Sequence, residues 1–342
     1  MNIKKVISEA EIKLRVQTYI SKGKPIDLDL LKPEAYKFFN RLYWNRPDIF
    51  EIIPKVKHLE YYNSLSSFLE TFDISDYDSQ VSKTYENLIL PLFESIQQNG
   101  LYTEDGMEYS KYNLFTTTGR PSNSNNGINY AALNKADGSR ERFTSRFSNG
   151  KLLEMDFDAY HIRLIANLIK YNLPETSVHE YFAKQFYGVQ TVTKEEYKQS
   201  KAMSFQVLYG GVPKELKGIE YFDKVKAYIS NVWDIYNNKG YIQTPIFNRR
   251  LYKNNLVEMN PQKLFNYLIQ AYETERNIKV MIDIQSLLKD KSSKLILYTY
   301  DAFLFDMDNS ELYLKDEIRK LTGFPVKMHI GNNYNDMKLL TR

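Results

Sequence analysis

Two short apolar runs near the carboxyl end of the chain limit most strongly what it can fold into. Leu295–Thr299 and Phe303–Met307 are rich in residues that favour strands, and only Tyr300–Ala302 separates them. The short separation predicts a β-hairpin whose turn carries Asp301. Just before the hairpin, Gln262–Leu288 contains neither glycine nor proline, which predicts one long helix.

A second acidic residue ends another predicted strand. Lys151–Asp156 (KLLEMD) is typical of a short strand that finishes in a carboxylate. The apolar positions of the next segment follow a helical period, and Asp158 is expected to cap that helix. Two further helices are predicted at Glu195–Tyr209, ended by the glycine pair at 210–211, and at Tyr221–Asn238. Helices outnumber strands, so the fold class is α+β.

Composition excludes several classes of site. The 342 residues include no cysteine, so disulfides, thiol catalysis, iron–sulfur clusters and cysteine zinc sites are ruled out. With four histidines, a multi-histidine metal site is not expected, and the net charge of +4 permits a polyanionic partner. No apolar run approaches 18 residues and the first residues lack an apolar signal region, so we expect a cytoplasmic protein without a membrane partner.

Asp156 and Asp301 are candidate metal ligands, because two carboxylates at neighbouring strand ends suit hard cations such as Mg²⁺. Two such ions about 4 Å apart can activate a 3′-hydroxyl and stabilise a leaving pyrophosphate. Taken alone, the same residues are compatible with a strand-end cap and a β-turn aspartate.

Spacings of three and four predict a helix face that carries three lysines and two aromatic residues. Its members are Lys194, Lys198, Lys201, Phe205 and Tyr209. Such a face can bind a triphosphate and stack on a base, although a solvated lysine stripe ending in core aromatics has the same pattern.

A third feature is the polar stretch Thr116–Asn129, which is long for a loop in a compact chain. It contains Arg120 beside Gly119, and the arginines Arg140, Arg142 and Arg146 follow it. An arginine on such a loop can reach the minor groove, where every base pair offers an acceptor. A polar surface loop with scattered arginines is the alternative.

Taken together and in this order, these segments resemble the family A DNA polymerases, the DNA polymerase I-like enzymes, from about Tyr109 onward. YSKYNLFTTTGRPSN is similar to the family's T-x-T-G-R-L-S segment, and LEMDFDAYHIRLIANL to its motif A, DYSQIELR. KQSKAMSFQVLYGG resembles motif B, K-x3-F-x3-Y-G, and LYTYDAFLFD resembles motif C. Three weaker matches are YIQTPIFNRRLY with Y-x-x-T-x-x-G-R-R, NYLIQAYETE with N-x3-Q, and FPVKMHIGNNYND with the closing G-x-N-W.

The resemblance implies a right-hand polymerase fold, with an antiparallel palm sheet, helical fingers and a shortened helical thumb. It implies thumb and amino-terminal helices over 1–114, palm over 115–192, fingers over 193–241 and the second palm segment over 242–342.

The resemblance also implies the roles of individual residues. Asp156 and Asp301 would hold two Mg²⁺ ions, for which Mn²⁺ can substitute. The residues implied to act on the incoming dNTP are Lys198, Lys201, Phe205, Tyr209, His161, Arg140 and Arg142, with Lys201 also catalytic. Those implied to contact primer–template DNA are Arg120, Arg163, Thr244, Arg249, Arg250, Asn266 and Gln270.

Three positions depart from the family pattern. His161 stands where the family has the Glu that blocks a ribose 2′-hydroxyl, and Ala302 replaces the Glu of the family's His-Asp-Glu. Tyr197 occupies the first Arg position of motif B. Weaker sugar discrimination is therefore expected, and these features make the chain look like a divergent phage- or plasmid-type member, which would act in the host cytoplasm.

Residues 1–110 are too few for a thumb and a separate nuclease domain, so we expect template-directed DNA synthesis without a 3′–5′ exonuclease in this chain. A separate exonuclease, a helicase-primase or a processivity factor are the partners left open. The alternatives are a single-subunit RNA polymerase or primer-making enzyme, and a catalytically idle primer–template binding subunit.

Overall fold

The computed structural model describes residues 84–340 apart from 113, 115, 124–127, 211, 213–215, 217, 254–255 and 257. The helices predicted within 1–83 lie outside the described residues. By its contacts the chain divides into two compact units, Met1–Ile89 with Tyr236–Glu258, and Leu90–Ile235 with Met259–Arg342. Residues 242–258, assigned from the sequence to the second palm segment, belong to the first of these units.

Seven α-helices lie in the described part of the chain. They are α1 (Leu90–Asn99), α2 (Tyr160–Leu168), α3 (Val178–Tyr187), α4 (Lys194–Gly210), α5 (Glu220–Lys239), α6 (Pro261–Leu287) and α7 (Leu314–Thr322). A π-helical turn, Tyr85–Ile89, precedes α1, and 3₁₀ turns occur at Tyr130–Ala132 and Asn309–Glu311. None of the helices in these ranges is both long and apolar enough to cross a membrane.

Nine strands complete the described elements. They are β1 (Leu101–Thr103), β2 (Gly106–Glu108), β3 (Lys151–Phe157), β4 (Tyr241–Gln243), β5 (Arg250–Tyr252), β6 (Lys294–Thr299), β7 (Ala302–Met307), β8 (Val326–Gly331) and β9 (Lys338–Leu339). β1 with β2 and β4 with β5 form separate hairpins. The other five form one antiparallel sheet in the order β6-β7-β3-β8-β9.

The central strand β3 is built as the sequence predicts. Leu152, Leu153 and Met155 have no exposed surface. Burying each of these side chains contributes roughly 1.5–3 kcal/mol, which fixes the strand firmly in the sheet. The predicted hairpin is also confirmed, since β6 and β7 pair in antiparallel register around the turn at Tyr300 and Asp301.

The long helix α6 begins at Pro261, whose fixed φ angle suits the first helical position. Asn260 caps it, because its side chain accepts a hydrogen bond from the Lys263 backbone N–H. Phe265 and Ile269 of α6 join an apolar core, called the helical core below, with residues of α2, α3, α4 and α5. The predicted helix over Gln262–Leu288 is therefore confirmed.

The predicted cap at Asp158 is wrong. Helix α2 starts after Ala159, which has a positive φ of 52°, and no side chain caps it. The Asp158 carboxylate instead contacts Nζ of Lys327 on β8 at 2.5 Å. An ion pair with the neighbouring strand has taken the place of a local helix cap.

Candidate active site

The fold places Asp156 and Asp301 side by side, an arrangement that the family resemblance implied and the residues alone left open. Asp156 pairs in register with Ala302, the residue directly after Asp301. In addition, the Phe157 backbone N–H donates to the Asp301 carbonyl at 3.0 Å. Two antiparallel strands therefore bring the acids together although 145 positions separate them in the sequence.

Burial and neighbouring acids raise the pKa of both carboxyl groups. Burial, followed by the charges of Asp301 and Glu154, raises the pKa of Asp156 to about 7. Burial, followed by the charge of Glu273, also raises the pKa of Asp301. Such clustered, partly desolvated carboxylates are typical of sites that take up positive charge.

A cavity of about 320 Å³ opens above the acids. Its walls combine acidic, basic and aromatic side chains, listed here in full: Tyr130, Ala131, Lys135, Arg140, Glu154, Asp156, Thr299, Tyr300, Asp301, Ala302 and Tyr334. The predicted dNTP contact Arg140 thus shares a cavity with both acids. Its Nε donates to the Leu133 carbonyl at 2.9 Å, and its guanidinium lies 4.5 Å from the Tyr334 ring.

Glu154, which the sequence reasoning missed, is a third carboxylate in this cavity. It lies two residues before Asp156 on β3, so strand alternation puts both on the same face. Lys135 Nζ and Arg140 Nη1 approach its carboxylate to 3.8 and 4.0 Å. His329 is also 4.0 Å away, but burial lowers the pKa of His329, so this third contact is polar rather than ionic at neutral pH.

The turn that carries Asp301 is conformationally unusual. Tyr300 has a φ of 60°, a region that non-glycine residues rarely adopt. Asn277 of α6 supports the turn, because its Nδ2 donates to the Tyr300 carbonyl at 2.7 Å. The same amide accepts a 2.5 Å hydrogen bond from the Tyr160 hydroxyl at the start of α2. Asn277 therefore ties the segments that follow Asp156 and precede Asp301 to one helix.

Arg120, His161 and Glu273 form a cluster beside this turn. Arg120 Nε and His161 Nε2 lie 3.1 Å from the two carboxylate oxygens of Glu273. The Arg120 guanidinium also lies over the Tyr300 ring, 3.9 Å from its centroid. The sequence indicated Arg120 and His161, but Glu273 carries no motif signal and was missed.

Asn266 and Gln270, expected along the minor groove, continue the same face of α6 as Glu273. Gln270 Nε2 donates to the Asn266 side-chain oxygen at 3.2 Å. Thr118, from the loop that carries Arg120, donates to the Gln270 side-chain oxygen at 3.3 Å. The loop and the helix thus present one polar surface next to the acids.

Helix α4 carries the predicted basic face. Lys194, Lys198 and Lys201 are exposed, and Phe205 is partly buried with its ring 5.8 Å from that of His179. Tyr209 lies on α4, but its side chain is outside the described part of the structure. The three lysines are therefore accessible to an anion. On the other side, both α4 and α6 contribute to the helical core.

Three predicted arginine positions are not at the cavity. Arg142 pairs with Glu108 on β2 and is half exposed. Arg163 is 5% exposed, and its guanidinium donates to the carbonyls of Asp158, Pro174, Glu175 and Thr176. A side chain so engaged holds the loop before α3 in place and leaves little surface for the predicted contact with DNA. Arg146 is similarly bound to Asp306.

Thr244, Arg249 and Arg250 lie on the β4–β5 hairpin of the first compact unit. Thr244 and Arg249 are buried, and the Arg249 backbone N–H donates to the Thr244 hydroxyl at 2.9 Å. Arg250 is partly exposed, with its guanidinium 4.9 Å from the Tyr241 ring. Of the three, Arg250 has the side chain best placed to meet a ligand.

Comparison with known proteins gives concordant matches. Residues 73–322 match the model of DNA polymerase family A. DNA polymerase I of Bacillus subtilis is 24% identical over 61% of this chain and 28% of its own length. DNA polymerase I of Caldicellulosiruptor bescii is 23% identical over 92% of this chain and 40% of its own length. The chain thus spans less than half the length of these curated relatives.

A solved structure gives the fold. This chain matches the POL domain of Pol1 from M. smegmatis in complex with DNA primer-template and dNTP. The match covers 97% of this chain and 66% of the M. smegmatis chain. The TM-score is 0.58 and the identity 19%, so this likeness shows the α+β polymerase fold. Because the family model covers well over half of the residues, the chain belongs to DNA polymerase family A.

Proposed function

We propose that this chain is a template-directed DNA polymerase that adds dNTPs to a primer 3′-hydroxyl. The observation that carries the proposal is the position of Asp156 beside Asp301 at adjacent strand ends, where both acids line a cavity together with Arg140. Two carboxylates able to hold metal, a basic wall and an open cleft suit transfer of a nucleotidyl group.

Asp156 and Asp301 would hold the metal ions. Within the described ranges, no group of three or more His, Asp or Glu side chains forms a ready-made metal site. Mg²⁺ nevertheless fits this pair, because it is usually bound through one or two carboxylates while water and substrate phosphates complete its shell. The raised pKa values of both acids reflect burial first and then neighbouring negative charge, which a cation would neutralise. Two Mg²⁺ ions, or Mn²⁺ in their place, would lower the pKa of the 3′-hydroxyl and stabilise the leaving pyrophosphate.

The chain's own residues would bind and orient the dNTP. Lys198 and Lys201, exposed on α4, would contact the triphosphate together with Arg140, since ammonium and guanidinium groups pair well with phosphate. Phe205 and Tyr209 would pack against the sugar and base. Arg142, half exposed and paired with Glu108, is the less favoured phosphate contact.

DNA would lie along the surface formed by Arg120, Asn266 and Gln270. These side chains present donors that can meet the minor-groove acceptors common to all base pairs, so binding would not depend on sequence. Arg250, with Thr244 and Arg249 shaping its hairpin, would contact template or backbone. The assignment of 1–114, 115–192, 193–241 and 242–342 to thumb, palm, fingers and second palm segment belongs to the same proposal.

The proposal assigns no 3′–5′ exonuclease to residues 1–110, because their sequence shows no set of acid-bearing strands. A separate exonuclease, helicase-primase or processivity factor would be its partner in replication, and the cytoplasm its place of action. A polymerase or primer-making enzyme that uses NTPs is the second candidate. His161 and Ala302, which replace two expected carboxylates, are the observations that favour it. A catalytically idle binding subunit is disfavoured, because both acids are retained.

Primer extension tests the proposal. The protein should extend a primed template with dNTPs and Mg²⁺, and should prefer dNTPs to NTPs. Asp156→Ala and Asp301→Ala should each lower kcat by about 10²-fold or more while DNA affinity stays nearly unchanged. Asp283→Ala, at an exposed position on α6, is the control and should leave kcat unchanged. Full activity of Asp301→Ala would refute the assignment, and a preference for NTPs would select the second candidate.

A further inference from the structure

Glu273 is a buried carboxylate with no assigned role in the proposed polymerase reaction. Its side chain has no exposed surface, although it lies at the middle of the polar face of α6. Burying a charged group without a partner costs much free energy, so a buried carboxylate needs neighbours that compensate its negative charge. Those neighbours are Arg120, from the loop before β3, and His161, from α2.

The contacts in this cluster are close approaches of side-chain nitrogens to the Glu273 oxygens, without hydrogen-bond geometry. Each partner nitrogen approaches a different Glu273 oxygen to 3.1 Å, but neither contact has hydrogen-bond angles. One carboxylate thus bridges a permanent cation and an imidazole, and it does so within the electrostatic range of Asp301. Through Glu273, the cluster connects the Arg120 loop, which is expected in the minor groove, to His161, which is expected beside the nucleotide sugar.

The contact with Glu273 also determines which part of His161 faces the cleft. Imidazole has two ring nitrogens, and a carboxylate packed against one of them limits how the ring can turn. Here Nε2 faces Glu273, and the side chain of His161 is 15% exposed. Nδ1 and the ring edge are therefore left as the groups that can meet a ligand.

We propose that Glu273 is a positioning residue for sugar selection, which holds the His161 ring as a fixed wall beside the 2′ position of the incoming nucleotide. Without this contact the ring can rotate away and make room for a 2′-hydroxyl. Arg120, on the other oxygen, balances the buried charge and links the position of the wall to the DNA-facing loop. The inference rests on the proposed function and names what sets substrate choice at that site.

Glu273→Gln is the decisive variant, since glutamine keeps the shape of the side chain and removes its charge. The kcat/KM ratio for a dNTP over the matching NTP should fall about tenfold, because a contact to a charged group is lost. The matched control is Glu275→Gln. Glu275 is 2% exposed on the same helix, but lies about 200° around it from Glu273 and faces away from the cluster. The Glu275→Gln variant should keep the wild-type kcat/KM ratio for a dNTP over the matching NTP.

A double-mutant cycle separates positioning from general damage to the fold. If Glu273 acts through His161, Glu273→Gln should have little further effect on the ratio in a His161→Gln background. Melting temperatures identify variants that merely lose stability. An unchanged ratio in folded Glu273→Gln, an equal loss in Glu275→Gln, or full additivity of the two changes would overturn the inference.

A spectroscopic measurement keeps this test independent of catalysis. With ¹⁵N-labelled histidine only four side chains contribute signals, and the ring nitrogens of His161 can be identified by its replacement. Glu273→Gln should shift the His161 ring signals, and Glu275→Gln should not. Unshifted signals would overturn the positioning role. A protein that shows the shift but extends no primer would instead refute the proposed function, and sugar selection with it.

Discussion

Replacing Asp156 by asparagine should stabilise the metal-free protein, and the gain should grow with pH. Burial and the neighbouring acids raise the pKa of this carboxyl from its ordinary 3.8 to about 7 in the folded protein. Below about pH 4 the carboxyl is protonated in both folded and unfolded states and has no effect on stability. As pH rises towards 7 the unfolded chain releases the proton first, so the free energy of unfolding falls. Above about pH 7 the loss is constant.

The size of the effect follows from the same two values. The interval between 3.8 and about 7 corresponds to roughly 4 kcal/mol if the group were fully shielded from water. Asp156 is only partly buried, and solvent screening reduces such a term considerably. We therefore expect Asp156→Asn to gain about 1–2 kcal/mol at pH 8 and a few tenths of a kcal/mol at pH 4.5.

Urea denaturation in EDTA, at several pH values between 4.5 and 8, measures this difference. Asp137→Asn is the control, because Asp137 is exposed and its pKa is lowered by hydrogen bonds from Ser139, so its replacement should bring no gain at pH 8. Added Mg²⁺ should then stabilise the wild type and not Asp156→Asn. A variant that is less stable than the wild type at pH 8, or a difference that does not change with pH, would refute the electrostatic reasoning.

Three further predictions concern other parts of the molecule. His161→Ala should admit NTPs more readily by opening space, whereas His161→Glu should preserve or sharpen the preference for dNTPs; an unchanged ratio of kcat/KM values in His161→Ala would place sugar choice elsewhere. Asp306→Ala should lower the free energy of unfolding by about 3 kcal/mol or more, since it leaves Arg146 without its buried partner at 2.7 Å, and a denaturation midpoint equal to the wild type would contradict this. DNA affinity should fall steeply with salt, and Arg250→Ala should reduce the slope of log K against log[salt] by about one; a slope unchanged in this variant would remove Arg250 from the phosphate contacts.

Much of the fold was predictable because it depends on local patterns. The hairpin around Asp301 follows from two apolar runs and a short turn, and α6 follows from a long segment without breakers. Strand β3, whose penultimate residue is Asp156, is built around the apolar residues Leu152, Leu153 and Met155. In each case the residues that specify the element lie within it, so neighbouring letters of the sequence carry the information.

Local signals were misleading where a distant partner competes with a neighbour. Asp158 has the position of a helix cap, but Lys327, 169 positions later, draws its carboxylate to β8. Arg163 is basic and lies in a motif, yet four carbonyl groups bind its guanidinium in a buried position. Charge and motif position identify a residue type, and neither determines which partner it contacts.

The order and spacing of a family pattern predicted from the sequence which acids and which basic helix face would carry the chemistry. The packed structure revealed that Glu154 joins the acids, that Asn277 supports the turn, and that Glu273 lies between Arg120 and His161. The Tyr160–Asn277 hydrogen bond joins residues 117 positions apart. Such contacts arise when strands and helices pack and buried polar groups must find partners, and nothing in local periodicity encodes which partner they find.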